Sequence, residues 1–198
     1  MGRNASTRLG LLTAAAALAT GPASAHTLGA HGAGFAAGFS HPLLGLDHFL
    51  AMVAVGLWAA QLGGRAVWQV PAASVGALVL GAALATAGVA VPAVEPGILA
   101  SLLVMGLLIA FAVRLPAAVG TAVVAVFAVC HGHAHGTEMP MAAAPLLYGA
   151  GFVLATAALH ASGVALGWAG ARLVSPALTR AAGAAIGTAG LWALLVTF

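Results

Sequence analysis

Six apolar segments, each close to the length that crosses a lipid bilayer, follow one another along this chain. About 20 residues of helix span the ~30 Å of hydrocarbon in a membrane, and lipid forces the backbone groups of such a segment to pair within it. The pattern therefore predicts an all-α, polytopic membrane helix bundle with six transmembrane helices. The segments lie at about 42–62, 68–91, 96–113, 116–135, 146–170 and 177–197.

The composition excludes a water-facing surface for most of the chain. Hydrophobic residues make up 63% of the 198 residues and charged residues only 5%, whereas a soluble domain carries about 25% charged residues. The six basic residues are arginines that form no basic patch, so we expect the lipid bilayer as a partner and no nucleic acid. The single cysteine, Cys130, excludes an internal disulfide and a CxxC metal site.

Residues 1–25 have the pattern of a secretory signal peptide. A positively charged start is followed by an apolar run too short to span a membrane, and then by a small-residue cleavage site that ends at Ala25. We expect cleavage to leave His26 as the new N-terminus and residues 26–198 as one six-helix transmembrane domain. The alternative is an uncleaved first helix.

The arginines predict how the segments are oriented. A cleaved signal places the mature N-terminus outside, so the loops after the first, third and fifth segments are cytoplasmic. Positive residues favour such loops, and the outer loops instead contain Glu95 and Glu138. We therefore predict a multi-pass protein of the bacterial inner (cytoplasmic) membrane, with the mature N-terminus and the C-terminus both periplasmic. The arginines at the predicted cytoplasmic side are Arg65, Arg114, Arg172 and Arg180.

Glycine pairs spaced four residues apart predict close packing of helices. Gly163/Gly167 and Gly183/Gly187 form GxxxG pairs, which let helix backbones approach each other. The pairs predict a compact bundle or contacts between copies of the chain, and the sequence leaves the oligomeric state open.

The first cluster of polar residues lies at the start of the first segment. His41 precedes Pro42, and proline is tolerated in a first helical turn. His48 follows two helical turns later and is predicted to share a face with His41, with Asp47 one step around the helix. Because a charged side chain within a membrane is expensive, we interpret Asp47 as functional rather than as a packing device.

The second cluster lies at the end of the fourth segment, near the same predicted membrane face. His131 and His135 are four residues apart and share a helical face, on which Glu138 also falls if the helix continues. His133 points roughly the opposite way. The glycine after each of His131 and His135 is expected to loosen the helix and free backbone carbonyls, as in the broken helices of transporters.

Other polar residues extend the candidate metal path away from these clusters. His160 lies roughly 21 Å into the fifth segment at helical rise, and His26 and His31 stand at the predicted entrance. Each residue also has an ordinary explanation, as a hydrogen-bond partner, a solvated tail or a small packing residue. The candidate path residues are His133, His160, His26, His31 and Cys130.

Together the two clusters favour a site for a divalent transition metal ion. Imidazole suits nickel, cobalt, copper and zinc, and carboxylate neutralises a dication. The lack of an obligatory thiolate argues against Cu(I) and against a cysteine-rich zinc site. The predicted ligands are His41, Asp47, His48, His131, His135 and Glu138.

Other classes of membrane protein use histidine differently. A haem-binding redox subunit pairs histidines on facing helices, and here the histidines are skewed outward and mixed with carboxylates. A metalloprotease needs H-E-x-x-H, and a nucleotide-hydrolysing pump needs a Walker motif; the sequence has neither. We expect no enzyme and no catalytic cofactor. A non-transporting accessory protein that binds metal stays open.

Two motifs resemble those of the HupE/UreJ family of nickel/cobalt permeases. The first is His41, five further residues and then Asp47-His48, with the proline and glycine between them in place. The second, F-H-G-x-A/V-H-G-x-E in the family, reads C-H-G-H-A-H-G-T-E from Cys130. The departure is Cys130 in place of phenylalanine, which removes no ligand.

The resemblance implies a function that the residues alone do not. It implies a secondary permease without an ATPase domain, which takes up nickel for hydrogenase or urease, or cobalt for cobalamin. It also implies that the six predicted ligands are the required positions. Nickel against cobalt, the energy source and the metalloenzyme supplied stay open.

Overall fold

The computed structural model describes residues 34–139 and 144–198, and within these ranges the chain is helical with no strands. The predicted signal peptide, His26 and His31 lie outside the described residues. The helices are α1 (Phe35–Leu44), α2 (Leu46–Leu62), α3 (Ala66–Thr86), α4 (Val94–Ala110), α5 (Ala117–Thr137), α6 (Pro145–Ala169) and α7 (Pro176–Thr197), with a π-helical turn, Gly170–Val174, after α6.

Several of these helices have the length and composition of membrane spans. Among the described residues, four helices are long and apolar enough to cross a bilayer, and α1 with α2 makes a fifth span if this bent pair is counted as one. The 17 residues of α4 extend about 26 Å at helical rise, slightly less than the hydrocarbon thickness. The structure confirms an all-helical, multi-pass membrane architecture, and the count of six spans stays a prediction.

The first apolar segment is broken, which the prediction of one helix over 42–62 missed. The chain enters α1 well before Pro42 and bends by 85° between α1 and α2, with Gly45 in an extended conformation at the break. α1 instead packs on the start of α6, where Gly38 lies directly against the backbone carbonyl of Tyr148. A side chain at this position would collide with that carbonyl, so glycine is required here. The contact lets α1 cross α6, and α1 does not continue the direction of α2.

Glycines join the spans into closely packed pairs. Gly163 and Gly167 lie against the backbone of α2, so that α2 and α6 run parallel in contact. Gly183 and Gly187 lie against α4, which runs antiparallel to α7. The predicted GxxxG contacts are thus made within one chain, where small residues let the helix axes approach.

The third pair consists of α3 and α5. Its geometry shows that the expectation of a helix loosened by glycines at the second cluster is wrong. α5 is continuous to Thr137. Gly132 lies against the carbonyl of Leu78, and Gly136 against Ala85. These glycines are needed for close approach of two parallel helices, and the helix break in this bundle lies at Gly45 instead.

The two ends of the bundle differ in charge. The arginines of the described residues lie where α2, α4 and α6 end and α3, α5 and α7 begin, whereas the acidic residues lie at the opposite ends of these helices. At the arginine end, side chains cap the last carbonyls of α4, because Gln61 donates to Ile109 and Arg180 donates to Ala110, over 3.1 and 2.8 Å. The acidic end carries Asp47, Glu95 and Glu138.

Candidate metal centre

All six predicted ligands gather at the acidic end of the bundle. The break at Gly45 leaves His41 in the last turns of α1 and places Asp47 and His48 in the first turn of α2. The prediction that His41 and His48 share a helical face is therefore wrong, because they belong to two different helices. His48 lies near the start of its helix. The two histidines still approach each other, because the sharp bend directs both towards the end of α5.

A group of three ligands lies at the entrance. The Nε2 atom of His41 and the Nδ1 atom of His135 lie 3.6 and 3.9 Å from the Oε2 atom of Glu138. One ligand atom from each of the three residues lies within 4.8 Å of the others. Since two atoms that each bind one ion at about 2.1 Å are at most about 4.2 Å apart, a small inward rotation brings all three onto one cation.

Below the entrance the imidazoles form a row, which we call the histidine column (His41, His135, His48 and His131). Neighbouring ring centres along the column are 4.8, 4.2 and 5.4 Å apart, in that order. The side chains of His41 and His48 are 20% and 12% exposed, whereas His135 and His131 are buried. The column thus leads from the half-exposed Glu138 into the interior.

Asp47 contacts the column through His48. One carboxylate oxygen of Asp47 accepts a hydrogen bond from the backbone N–H of His48 at 2.9 Å, and the other lies 3.8 Å from its Nδ1 atom. A carboxylate beside a metal-binding imidazole fixes the orientation of its ring and raises its basicity. The geometry therefore gives Asp47 two available roles, as a direct ligand or as the group that orients His48.

Several column nitrogens lack a hydrogen-bond partner among the described residues. The Nδ1–H group of His131 donates to the carbonyl of Phe127 at 3.0 Å, which leaves its buried Nε2 atom unpaired. Both ring nitrogens of His135 and the Nδ1 atom of His48 are also unpaired. Unpaired buried polar atoms are costly, and an imidazole whose other N–H donates to a backbone carbonyl is the usual form of a metal ligand.

Glu138 supplies negative charge at the mouth of the column. It caps the C-terminus of α5, and the neighbouring His41 imidazole lowers the pKa of its carboxyl, against an opposing effect of partial burial. The carboxylate is therefore charged at neutral pH and half exposed. Such a group raises the local concentration of cations.

Two aromatic rings that no sequence motif predicted form a wall beside the column. The ring of Phe152 lies 4.4 Å from that of His135, and the ring of Tyr148 lies 6.0 Å from that of His41. Both belong to α6, whose sequence shows only an apolar span with no polar motif. Their position follows from the packing of α1 on α6, which no local pattern indicates.

The remaining candidates that the structure describes lie outside the column. His133 points away from it, and its Nε2–H donates to the carbonyl of Val89 at 2.9 Å. Cys130 packs against Gly97 of α4. His160 is buried between α2 and α6, where its Nδ1–H donates to the carbonyl of Met52 at 2.8 Å. A ligand role for any of these residues stays a prediction.

Comparison with known proteins finds relatives over nearly the whole chain. A family described as HupE / UreJ protein matches residues 13–193. Protein HupE of Rhizobium leguminosarum bv. viciae is 45% identical over 187 residues, which cover 94% of this chain and 97% of that relative. No solved structure matches.

Proposed function

The chain belongs to the HupE/UreJ family, and we propose that it is a secondary permease that takes up nickel, or cobalt, across the bacterial inner membrane. Its cargo would serve the maturation of a metalloenzyme such as a hydrogenase or a urease. The observation that carries the proposal is the histidine column, in which four imidazoles from three helices lead inward from a carboxylate.

The column has the chemistry of a path rather than of a closed storage site. A cation that leaves water must exchange its hydration shell for protein ligands, because an unpaired buried charge is very costly. Glu138 and His41 are accessible, whereas His131 is buried. An ion therefore passes from water-exposed to buried ligands in steps of about 4–6 Å, and each step keeps at least one imidazole within reach.

The ligand types support nickel and cobalt as cargo. Neutral imidazole and carboxylate bind borderline divalent ions, whereas Cu(I) prefers thiolate and thioether ligands. The single thiol, Cys130, packs on Gly97 rather than on the column. Ligation without thiolate is also compatible with release, which a carrier requires.

The charges support entry from the periplasm. Positive residues favour the cytoplasmic side of a membrane protein, so the arginine end of the bundle is assigned to the cytoplasm and the acidic end to the periplasm. Carboxylates around the mouth of a site raise the local concentration of cations. The acidic end thus faces the compartment from which the metal is taken.

Nickel uptake tests this proposal. Cells that express the protein are given radioactive nickel, with cobalt as competitor, and compared with Asp47→Asn and His131→Ala variants at equal membrane levels. Both variants should lose nearly all uptake, because His131 belongs to the column and Asp47 contacts it through His48. Ser162→Ala is the control, since this exposed hydroxyl donates only to Ala158 of its own helix.

The competing function is an accessory protein that binds metal without carrying it. Purified protein reconstituted into liposomes separates the two, because a permease moves nickel into the lumen and an accessory protein only retains it on the surface. Nickel binding without flux would reject the permease. Unchanged uptake in both the Asp47→Asn and the His131→Ala variants would reject the site.

A further inference from the structure

The histidine column ends at an internal cavity of about 20 Å³. A volume of this size holds about one water molecule, and therefore about one bare metal ion. Four helices, α2 to α5, each contribute to its walls. His131 is shared between the two features, since it is the innermost member of the column and also lines this cavity.

The cavity wall has an unusual set of polar and sulfur-containing side chains for the centre of an apolar bundle. Besides His131, it contains the thioethers of Met52 and Met105 and the hydroxyls of Ser74 and Ser101. Each of these five residues is at most 2% exposed. These residues place one imidazole, two thioethers and two hydroxyls in the lining of a space that fits one ion.

We propose that this cavity is a second cation site, in which Met52, Met105, Ser74 and Ser101 receive the metal ion from His131 of the histidine column. The inference rests on the proposed function, because it assigns the next step of the same path. It names the thioethers and hydroxyls as ligands that the two sequence motifs do not include.

Hydrogen bonding leaves the required lone pairs free. The Nδ1–H group of His131 is used by the Phe127 carbonyl, so its unpaired Nε2 is available as a ligand. The hydroxyl of Ser101 donates its proton to the Ile98 carbonyl at 2.6 Å. This bond uses the proton of the hydroxyl and leaves the lone pairs of its oxygen free to accept, which is the role a cation needs.

The sulfur atoms suit an ion in transit. A thioether is a soft, neutral ligand that Mg²⁺ and Ca²⁺ avoid, and in this cavity it stands beside the imidazole of His131, a ligand type that suits nickel. Methionine side chains also adapt their shape easily. Met52 also contacts a residue that does not line the cavity, because its backbone carbonyl accepts a hydrogen bond from His160. The site thus lies between the column and the next buried imidazole of the bundle.

The test removes both sulfur atoms while keeping side-chain volume. Met52→Leu with Met105→Leu is a volume-conserving change of the kind that cores tolerate. Purified wild-type and variant proteins are reconstituted into lipid, and nickel affinity is measured by calorimetry and uptake in proteoliposomes. Ile109→Leu is the matched control, since this residue is fully buried on α4 one turn beyond Met105 and does not line the cavity.

We expect the double variant to retain the nickel affinity of the column within about twofold and to lose at least about tenfold in uptake rate. Ile109→Leu should retain both. Wild-type uptake in the double variant would overturn the second site, as would an equal loss in Ile109→Leu or a loss of column affinity in the double variant. A wild-type protein that binds nickel and moves none would instead reject the proposed function.

Discussion

Replacing Gly132 with alanine tests whether α5 is held against α3 in the register that positions the metal ligands. A Cβ atom at this position would meet the backbone of Leu78, with its Cα only 2.8 Å away, whereas ordinary contacts begin at 3.4 Å. Backbone atoms cannot rotate aside as a side chain can. The two helices must therefore separate by at least about half an ångström in a close-packed interior.

The magnitude follows from the cost of overpacking. Extra methyl groups in a well-packed core cost about 1–3 kcal/mol, and a collision with backbone belongs in the upper half of that range. A loss of about 2–3 kcal/mol raises the unfolded fraction by roughly 30- to 150-fold, because about 1.4 kcal/mol corresponds to a factor of ten. We expect a clear fall in the thermal midpoint of the purified protein in lipid nanodiscs.

The metal site should be affected as well. Gly132 adjoins His131, so a displaced α5 moves its imidazoles away from His48 of α2, and ligand geometry tolerates only about 0.5 Å. Nickel affinity measured by calorimetry below the unfolding transition should fall at least about tenfold. Gly76→Ala is the control, because a Cβ there meets no atom within 4 Å. Wild-type stability and affinity in Gly132→Ala would refute the α3–α5 contact.

Two further predictions concern groups near the column. His41→Ala should raise the pKa of Glu138, since His41 is the largest cause that lowers it. In the wild type, the stability from this lowered pKa is present above the ordinary pKa and is lost as pH falls through the lowered value. The variant should lack most of this contribution at neutral pH. Infrared titration of labelled glutamate in a Glu95→Gln background measures this pKa, and an unchanged value would exclude the His41 contact. Cys130→Ala should keep nickel affinity within about twofold, because the thiol faces Gly97; a tenfold loss in calorimetry would make the sulfur a ligand.

Much of the architecture follows from local sequence. Apolar runs of membrane length indicate helices wherever they occur, because lipid leaves the backbone no other partner. The spacing of His131 and His135 places them on one helical face, and in the structure both lie beside His48 in the column. The segregation of arginines from acids is likewise visible in the order of residues along the chain.

The parts that sequence did not predict depend on contacts between distant helices. Pro42 permits a helix to start at this point, but it lies inside α1 because α1 begins earlier and docks on α6. The break at Gly45 follows from that docking. Glycine in a helix is compatible both with local loosening and with close packing, so the local sequence of the second cluster does not distinguish the two. The contact with α3 shows that these glycines serve close packing.

The pairing of helices through glycine has a consequence for how a carrier of this shape changes conformation. Among the described residues, close backbone contacts hold together the α2/α6, α3/α5 and α4/α7 pairs, so each pair is stiff. An ion held by imidazoles of both α2 and α5 connects the first two of these pairs. A state in which the pairs move apart binds that ion more weakly, so the occupancy of the ion and the equilibrium between closed and separated states are thermodynamically linked.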